Sequence, residues 1–165
     1  MRVNRLTVSA LALLSATAAL ISSAPASAEP AHPQTKLTFF VLQNKATGRC
    51  IDDSNVGLRA FACNNTSFQE WQAVPIEGTG LAIFWKNMNT GRCIDDSNLG
   101  LRSFDCNGLD FQKWWIGQSS GGTGAHPLEW FQNQATTGCL DDSFDFGLRS
   151  VGCNGTDWQT FRVEE

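Results

Sequence analysis

Thr90-Gly91-Arg92-Cys93-Ile94-Asp95-Asp96-Ser97-Asn98 is the stretch from which the rest of the chain can be read. Leu101, Arg102, Phe104, Cys106 and Asn107 follow it, and Gln112-Lys113-Trp114 closes the unit. An earlier copy runs Thr47-Gly48-Arg49-Cys50-Ile51-Asp52-Asp53-Ser54-Asn55, then Leu58, Arg59, Phe61, Cys63, Asn64 and Gln69-Glu70-Trp71. A later copy has Cys139-Leu140-Asp141-Asp142-Ser143, then Leu148, Arg149, Val151, Cys153, Asn154 and Gln159-Thr160-Phe161. The interval between the two cysteines is equal in the first two copies and one residue longer in the third. A register kept three times is an internal repeat, and the repeat is the unit that must fold.

Each copy carries four short strand signals. An apolar, β-favouring opener occupies residues 37–42, 81–85 and 128–131, and each is followed by an asparagine (Asn44, Asn87, Asn133) six residues before the first cysteine. The Cys-Ile-Asp segment, the Leu-Arg segment and the Gln-x-Trp segment supply the other three. Glycine-rich connectors at 77–80 and 119–124 separate the copies. No 3.6-residue apolar period is sustained, so the reading is all-β with about twelve strands. A copy of about 40 residues cannot bury a core alone, so the three share one. Closure about a threefold axis leaves no exposed sheet edge, whereas three blades cannot close a propeller.

Of the 165 residues, 1–28 read as a secretory signal peptide. Arg2 and Arg5 precede an uncharged, largely apolar run, and Ala26-Ser27-Ala28 gives the small-x-small cleavage pattern. A membrane anchor is the competing reading, but the run is short and broken by Ser and Thr, against the roughly 20 apolar residues of a span. Residues 29–165 then form a single domain, opening on a polar, proline-containing leader (29–36), with repeats at about 37–74, 80–116 and 127–163. The net charge is −4, and cleavage would remove two arginines and no acid. Such a chain has no basic run for a phosphate backbone or an anionic lipid, which disfavours nucleic acid and membrane as partners.

Six cysteines in an exported chain predict disulfides. Among pairings that respect the repeat, the shortest loops join Cys50 to Cys63, Cys93 to Cys106 and Cys139 to Cys153. Each would contribute roughly 3 kcal/mol for a loop near 15 residues in the chain-entropy model. Zinc is disfavoured, since no Cys-x-x-Cys occurs.

Asn-x-x-Thr-Gly-Arg-Cys-Ile-Asp, a second Cys followed by Asn, and Gln-x-Trp, complete in the first two copies and varied to Asn-x-x-Thr-Thr-Gly-Cys-Leu-Asp and Gln-x-Phe in the third, resemble the ricin B-type β-trefoil lectins, in particular their small three-site actinomycete members. The resemblance covers residues 37–163. It implies a six-stranded barrel capped by three hairpins, with one shallow sugar pocket per repeat. It also implies carbohydrate binding by Asp52, Phe61 and Asn64, by Asp95, Phe104 and Asn107, and by Asp141 and Asn154. The aspartate would accept hydrogen bonds from adjacent sugar hydroxyls, the phenylalanine would stack on the sugar's apolar face, and the asparagine amide would both donate and accept. Two features depart from the family pattern. Phe68, Phe111 and Trp158 stand where ricin-like members often carry an asparagine, and the chain has no tyrosine.

Each residue also has a plainer role. The aspartates could form turns, the phenylalanines could fill core, and the asparagines could support a left-handed loop. The second aspartates, Asp53, Asp96 and Asp142, point to the opposite strand face and are assigned to loops with Ser54, Ser97 and Ser143. Trp71, Trp114 and Phe161 are read as shared core, and Gln69, Gln112 and Gln159 as partners of backbone groups. Val151 gives repeat three no aromatic, which ranks its site weakest unless Phe144 or Phe146 of the longer loop replaces it.

Catalysis is not expected. The two histidines, His32 and His126, lie in the leader and the last connector, so no Ser-His-Asp or Cys-His set can be assembled. The acids repeat threefold, as binding sites do, and the Asp-Asp-Ser runs lack the alternating ligands of a calcium loop. The expected protein is thus a secreted, monomeric lectin for glycans on polysaccharide or glycoprotein, using no cofactor and no metal. The competing class is a secreted trefoil that binds or inhibits another protein through an exposed loop, for which 117–126 is the candidate.

Overall fold

The computed structural model describes residues 38–165 apart from Thr79, Leu81 and Ala125. The signal-peptide reading of 1–28, the leader and the first residue of the opening strand lie outside the described residues. The described residues form twelve strands: β1 (Phe40–Asn44), β2 (Cys50–Ser54), β3 (Gly57–Phe61), β4 (Glu70–Pro75), β5 (Ala82–Asn87), β6 (Arg92–Ser97), β7 (Gly100–Asp105), β8 (Trp114–Gln118), β9 (Leu128–Asn133), β10 (Gly138–Ser143), β11 (Gly147–Gly152) and β12 (Phe161–Glu164). One 3-10 turn precedes the last strand of each repeat, at Ser67–Gln69, Asp110–Gln112 and Asp157–Gln159.

The pairing closes a ring. β1 pairs with β4, β4 with β5, β5 with β8, β8 with β9, β9 with β12, and β12 returns to β1, all antiparallel. The hairpins β2–β3, β6–β7 and β10–β11 spring from this barrel and touch one another pairwise. This is the β-trefoil. The openers extend beyond the ends read from the sequence through the asparagines that follow them, because Asn44, Asn87 and Asn133 still pair in the barrel with Phe161, Trp71 and Trp114.

The core is built from equivalent positions. Leu42, Trp85 and Phe131 come from the openers, Ile51, Ile94 and Leu140 from the first hairpin strands, and Trp71, Trp114 and Phe161 from the closing strands. The indole N–H groups of Trp71 and Trp114 donate to the Ile51 and Ile94 carbonyls at 3.0 and 3.1 Å, which ties the barrel to its caps. Trp85 Nε1 is buried without a partner among the described residues. Glu129 stands on β9 where the other openers have Phe40 and Ile83, and burial raises its pKa.

Two polar side chains per repeat, a glutamine and an asparagine, hold the loops. The amide oxygens of Gln69, Gln112 and Gln159 accept from the backbone of Asn64, Asn107 and Asn154 (2.9, 2.8 and 2.7 Å), and their amide nitrogens donate to Ala62, Asp105 and Gly152 carbonyls. Asn44, Asn87 and Asn133 cap their own turns through Oδ1 and donate to the carbonyls of Trp158, Phe68 and Phe111 in the preceding repeat (2.7, 2.8 and 2.7 Å). A side-chain amide accepts at its oxygen and donates at its nitrogen at the same time, and burial makes each bond costly to lose. The disulfides are Cys50–Cys63, Cys93–Cys106 and Cys139–Cys153, each within one repeat.

Candidate functional site

Antiparallel register builds the same constellation on each hairpin. Asp52 faces Arg59 across β2–β3, Asp95 faces Arg102 across β6–β7, and Asp141 faces Arg149 across β10–β11. Directly opposed residues project to one face of a hairpin, so the charges meet. The arginine Nε donates to the aspartate Oδ1 at 2.9, 3.1 and 2.9 Å. The aspartates are buried, whereas about a third of each arginine side chain reaches solvent.

Two residues along the same strand, on the same face, stand Phe61 and Phe104. The Arg59 and Arg102 guanidinium carbons lie 4.1 and 4.3 Å from these ring centroids, within cation–π range. The rings are 41 % and 42 % exposed. They are therefore surface residues, not core. In repeat three the strand position holds Val151, opposite Cys139. Phe146, in the longer hairpin loop, takes over and lies 4.4 Å from the Arg149 guanidinium. The shorter hairpins turn in two residues before a left-handed glycine (Gly57 φ 91°, Gly100 φ 87°). The longer one turns through Phe144-Asp145-Phe146 before Gly147, and the added length lets a ring fold back over its own arginine.

The asparagines follow the second cysteines, are exposed, and are partly committed within their own loops. Asn64 and Asn154 accept at Oδ1 from the backbone N–H and hydroxyl of Thr66 and Thr156, and Asn107 accepts from the Leu109 N–H. What they retain is an exposed Nδ2 donor. The aspartates are likewise half used. Oδ1 is taken by arginine in all three repeats, and Asp52 Oδ2 also receives a long bond from Gln69 (3.4 Å). Each hairpin thus brings together a largely buried carboxylate, spare guanidinium N–H groups and an aromatic surface, with an exposed asparagine following the second cysteine. Paired charges leave it nearly neutral, which suits hydroxyl-rich ligands better than ions.

Arg59, Arg102 and Arg149 belong to this unit although the sequence reading gave them no task. Their repeated place in the Leu-Arg segment, opposite the aspartate across each hairpin, is the signal that finds them.

The second aspartates are not loop residues. Asp53, Asp96 and Asp142 lie within β2, β6 and β10 and are buried. They alternate to the far face of the hairpin, as strand geometry requires, and there they meet the next repeat in space. Arg92 clasps Asp53 and Arg49 clasps Asp142, each in a two-point ion pair. Phe144 lies 5.4 Å from the Arg49 guanidinium and packs edge-on against Trp158. The Thr-Gly-Arg-Cys element is therefore a clamp between repeats.

No protein-family model and no curated protein sequence matches the chain. The fold is matched among solved structures. The designed threefold-symmetric protein ThreeFoil superposes with a TM-score of 0.67 at 15 % identity, over 77 % of this chain and 98 % of that one. An exo-β-1,3-galactanase from Clostridium thermocellum gives 0.66 at 19 % identity, over 80 % of this chain but 30 % of its own length. SeviL bound to asialo-GM1 saccharide gives 0.63 at 13 % identity, over 78 % and 98 %. At such identities the likeness establishes the β-trefoil and no more.

Proposed function

We propose that the protein is a secreted lectin that holds carbohydrate non-covalently at up to three shallow sites, one per repeat. The observation that carries this reading is the threefold recurrence of a buried aspartate, a half-exposed arginine and an exposed phenylalanine. In repeat three the constellation recurs through a different phenylalanine. Sugars present adjacent hydroxyls around an apolar face, and this set offers an acceptor, several donors and a ring edge at matching scale. That SeviL is seen with a saccharide on the same fold adds support. Threefold repetition also favours binding over catalysis, and valency over single-site affinity. Linked weak sites gain about 10²–10⁴ when a polymeric ligand spans them.

The test is a glycan array on the folded protein, repeated with the triple variant Phe61→Ala/Phe104→Ala/Phe146→Ala. These rings are at the surface, so circular dichroism should be unchanged. Binding of polymeric glycan by the parent and its loss in the variant is the expected result. A blank array, or equal binding by both, would sink the lectin reading and favour the protein-binding alternative.

A further inference from the structure

The repeats meet at three equivalent junctions, and one is built differently. At the first, Arg92 Nε donates to Asp53 Oδ2 (3.1 Å), while Nη2 donates to Asp53 Oδ1 (2.6 Å) and the Ser54 carbonyl (2.9 Å). At the second, Arg49 makes the same contacts with Asp142 and the Ser143 carbonyl. The third junction has Gly138 in the arginine position. Asp96 is nonetheless only 5 % exposed. Its Oδ2 accepts from the hydroxyls of Ser150 (2.6 Å) and Thr136. Ser150 thus uses the acceptor that Nε uses elsewhere. Asp96 Oδ1 accepts no hydrogen bond among the described residues. The Ser97 carbonyl, which corresponds to the second acceptor of Nη2, receives no side-chain donor among them. A cleft of about 270 Å³, lined by Asp96, Thr136, Gly138, Ser150 and Gly152, opens at this point.

Two neutral hydroxyls satisfy one oxygen of Asp96 without neutralising its charge, and a largely buried carboxylate without a cation is unfavourable. We propose that this junction binds a ligand cation bearing N–H donors, a primary ammonium or a guanidinium group. One nitrogen bridges Asp96 Oδ1 and the Ser97 carbonyl, as Arg92 Nη2 bridges Asp53 and Ser54. The requirement for N–H donors distinguishes this from general attraction of cations to an acidic protein. The site lies on the opposite hairpin face from the Arg–Phe constellations and does not depend on their binding sugar.

The test is a titration of the isotopically labelled protein followed by amide chemical shifts, at constant ionic strength. The probes are methylguanidinium and glucosamine, with tetramethylammonium (no N–H) and N-acetylglucosamine (no charge) as controls. Saturable shifts at Asp96, Gly138 and Ser150 with either probe, and not with the controls, are expected. Methylguanidinium alone would point to an arginine side chain as the natural source, and a response to glucosamine would point to an amino sugar. Asp96→Asn should weaken the response at least about tenfold, since a hydrogen bond to a charged partner is lost. A second variant supplies the missing arginine. A Cβ at Gly138 would come within 2.2 Å of Ser150 Oγ, so Gly138→Arg is combined with Ser150→Ala, the residue type that repeat one has at Ala60. The double variant should lose the cation response and melt at higher temperature. The proposal is overturned if neither cation gives saturable shifts, if the controls reproduce them, or if Asp96→Asn or the double variant binds as the parent does. Neutral glycan binding at the Arg–Phe sites would be untouched by any of these outcomes.

Discussion

Repeats one and two solve each local problem in the same way, and repeat three solves the same problems with other residues. Phe61 and Phe104 stack under their arginines from the strand, whereas Phe146 does so from a loop. Arg49 and Arg92 clamp aspartates across repeat boundaries, whereas Ser150 helps satisfy Asp96 where Gly138 cannot. Gly48 and Gly91 take a left-handed turn at no steric cost, whereas Thr137 takes it at φ 61°. The comparison teaches that the hairpin register is what the fold fixes. Given that register, a side chain from a neighbouring position can restore a lost contact, although its charge balance or strain is not restored with it.

The largest expected effect concerns the clamps. Arg92→Ala should destabilise the protein by about 3 kcal/mol, because it leaves Asp53 buried without its partner; the estimate sits at the lower end since the guanidinium is partly wet. Asp96→Asn, at the junction without arginine, should cost under about 1 kcal/mol, since it removes charge without orphaning a cation. Urea unfolding of the two variants measures the contrast, and equal losses would mean the third junction is as tightly coupled as the others.

Next comes the aromatic platform. Phe61→Ala, Phe104→Ala and Phe146→Ala should each weaken polymeric glycan binding by about tenfold, in line with the loss of one stacking surface of about 1–2 kcal/mol. Val151→Ala should do nothing. This takes up the alternative read from the sequence, that Phe144 or Phe146 replaces the aromatic whose absence at Val151 would otherwise make site three weakest. Surface plasmon resonance on the single variants decides it: a neutral Phe146→Ala with a damaging Val151→Ala would return the site to the strand.

A smaller effect is expected in the turn. A β-branched residue is strained in the left-handed region, so Thr137→Gly should stabilise by about 1 kcal/mol or less after the entropic cost of glycine. Gly91→Thr should destabilise by a larger amount, roughly 1–2 kcal/mol. Thermal melts of both variants test whether the third turn is merely tolerated or is compensated by its neighbours.

The smallest effect depends on pH. Burial raises the pKa of Glu129 in the folded state, so the folded protein holds this proton more tightly than the unfolded chain does. Its favourable contribution is therefore complete below the unfolded value and is lost as pH rises through the folded one. Glu129→Gln should match the parent near pH 4 and exceed it slightly in melting temperature at pH 7. A gain that appears instead at acid pH would reverse the sign and place the carboxyl in a polar environment.

Much of this was legible in the residues themselves. The triplicate cassette dictated three units of four strands, and shared burial of Trp71, Trp114 and Phe161 follows from ring size at a repeated position. Short loops favoured the three disulfides within repeats, and those are the pairs formed. Alternation put Phe61 with Arg59 and turned Asp53 away from Asp52. These are local consequences of period and register, which a chain carries in its order.

What lay across repeat boundaries could be decided only by the closed barrel. The sequence places Arg92 thirty-nine positions from Asp53 and Arg49 ninety-three from Asp142, and no pattern within one repeat says which neighbour each will reach. Ring closure chooses, by setting the Thr-Gly-Arg turn of one repeat against the hairpin of the next. The same holds for Phe146, whose return over Arg149 needs the curvature of a longer loop, and for the cleft at Gly138, which exists because a side chain is missing where two repeats converge. Local order set the strands and their faces; the approach of the three copies to one another set the charges they bury, since burial is a property of the assembled barrel and not of any one strand.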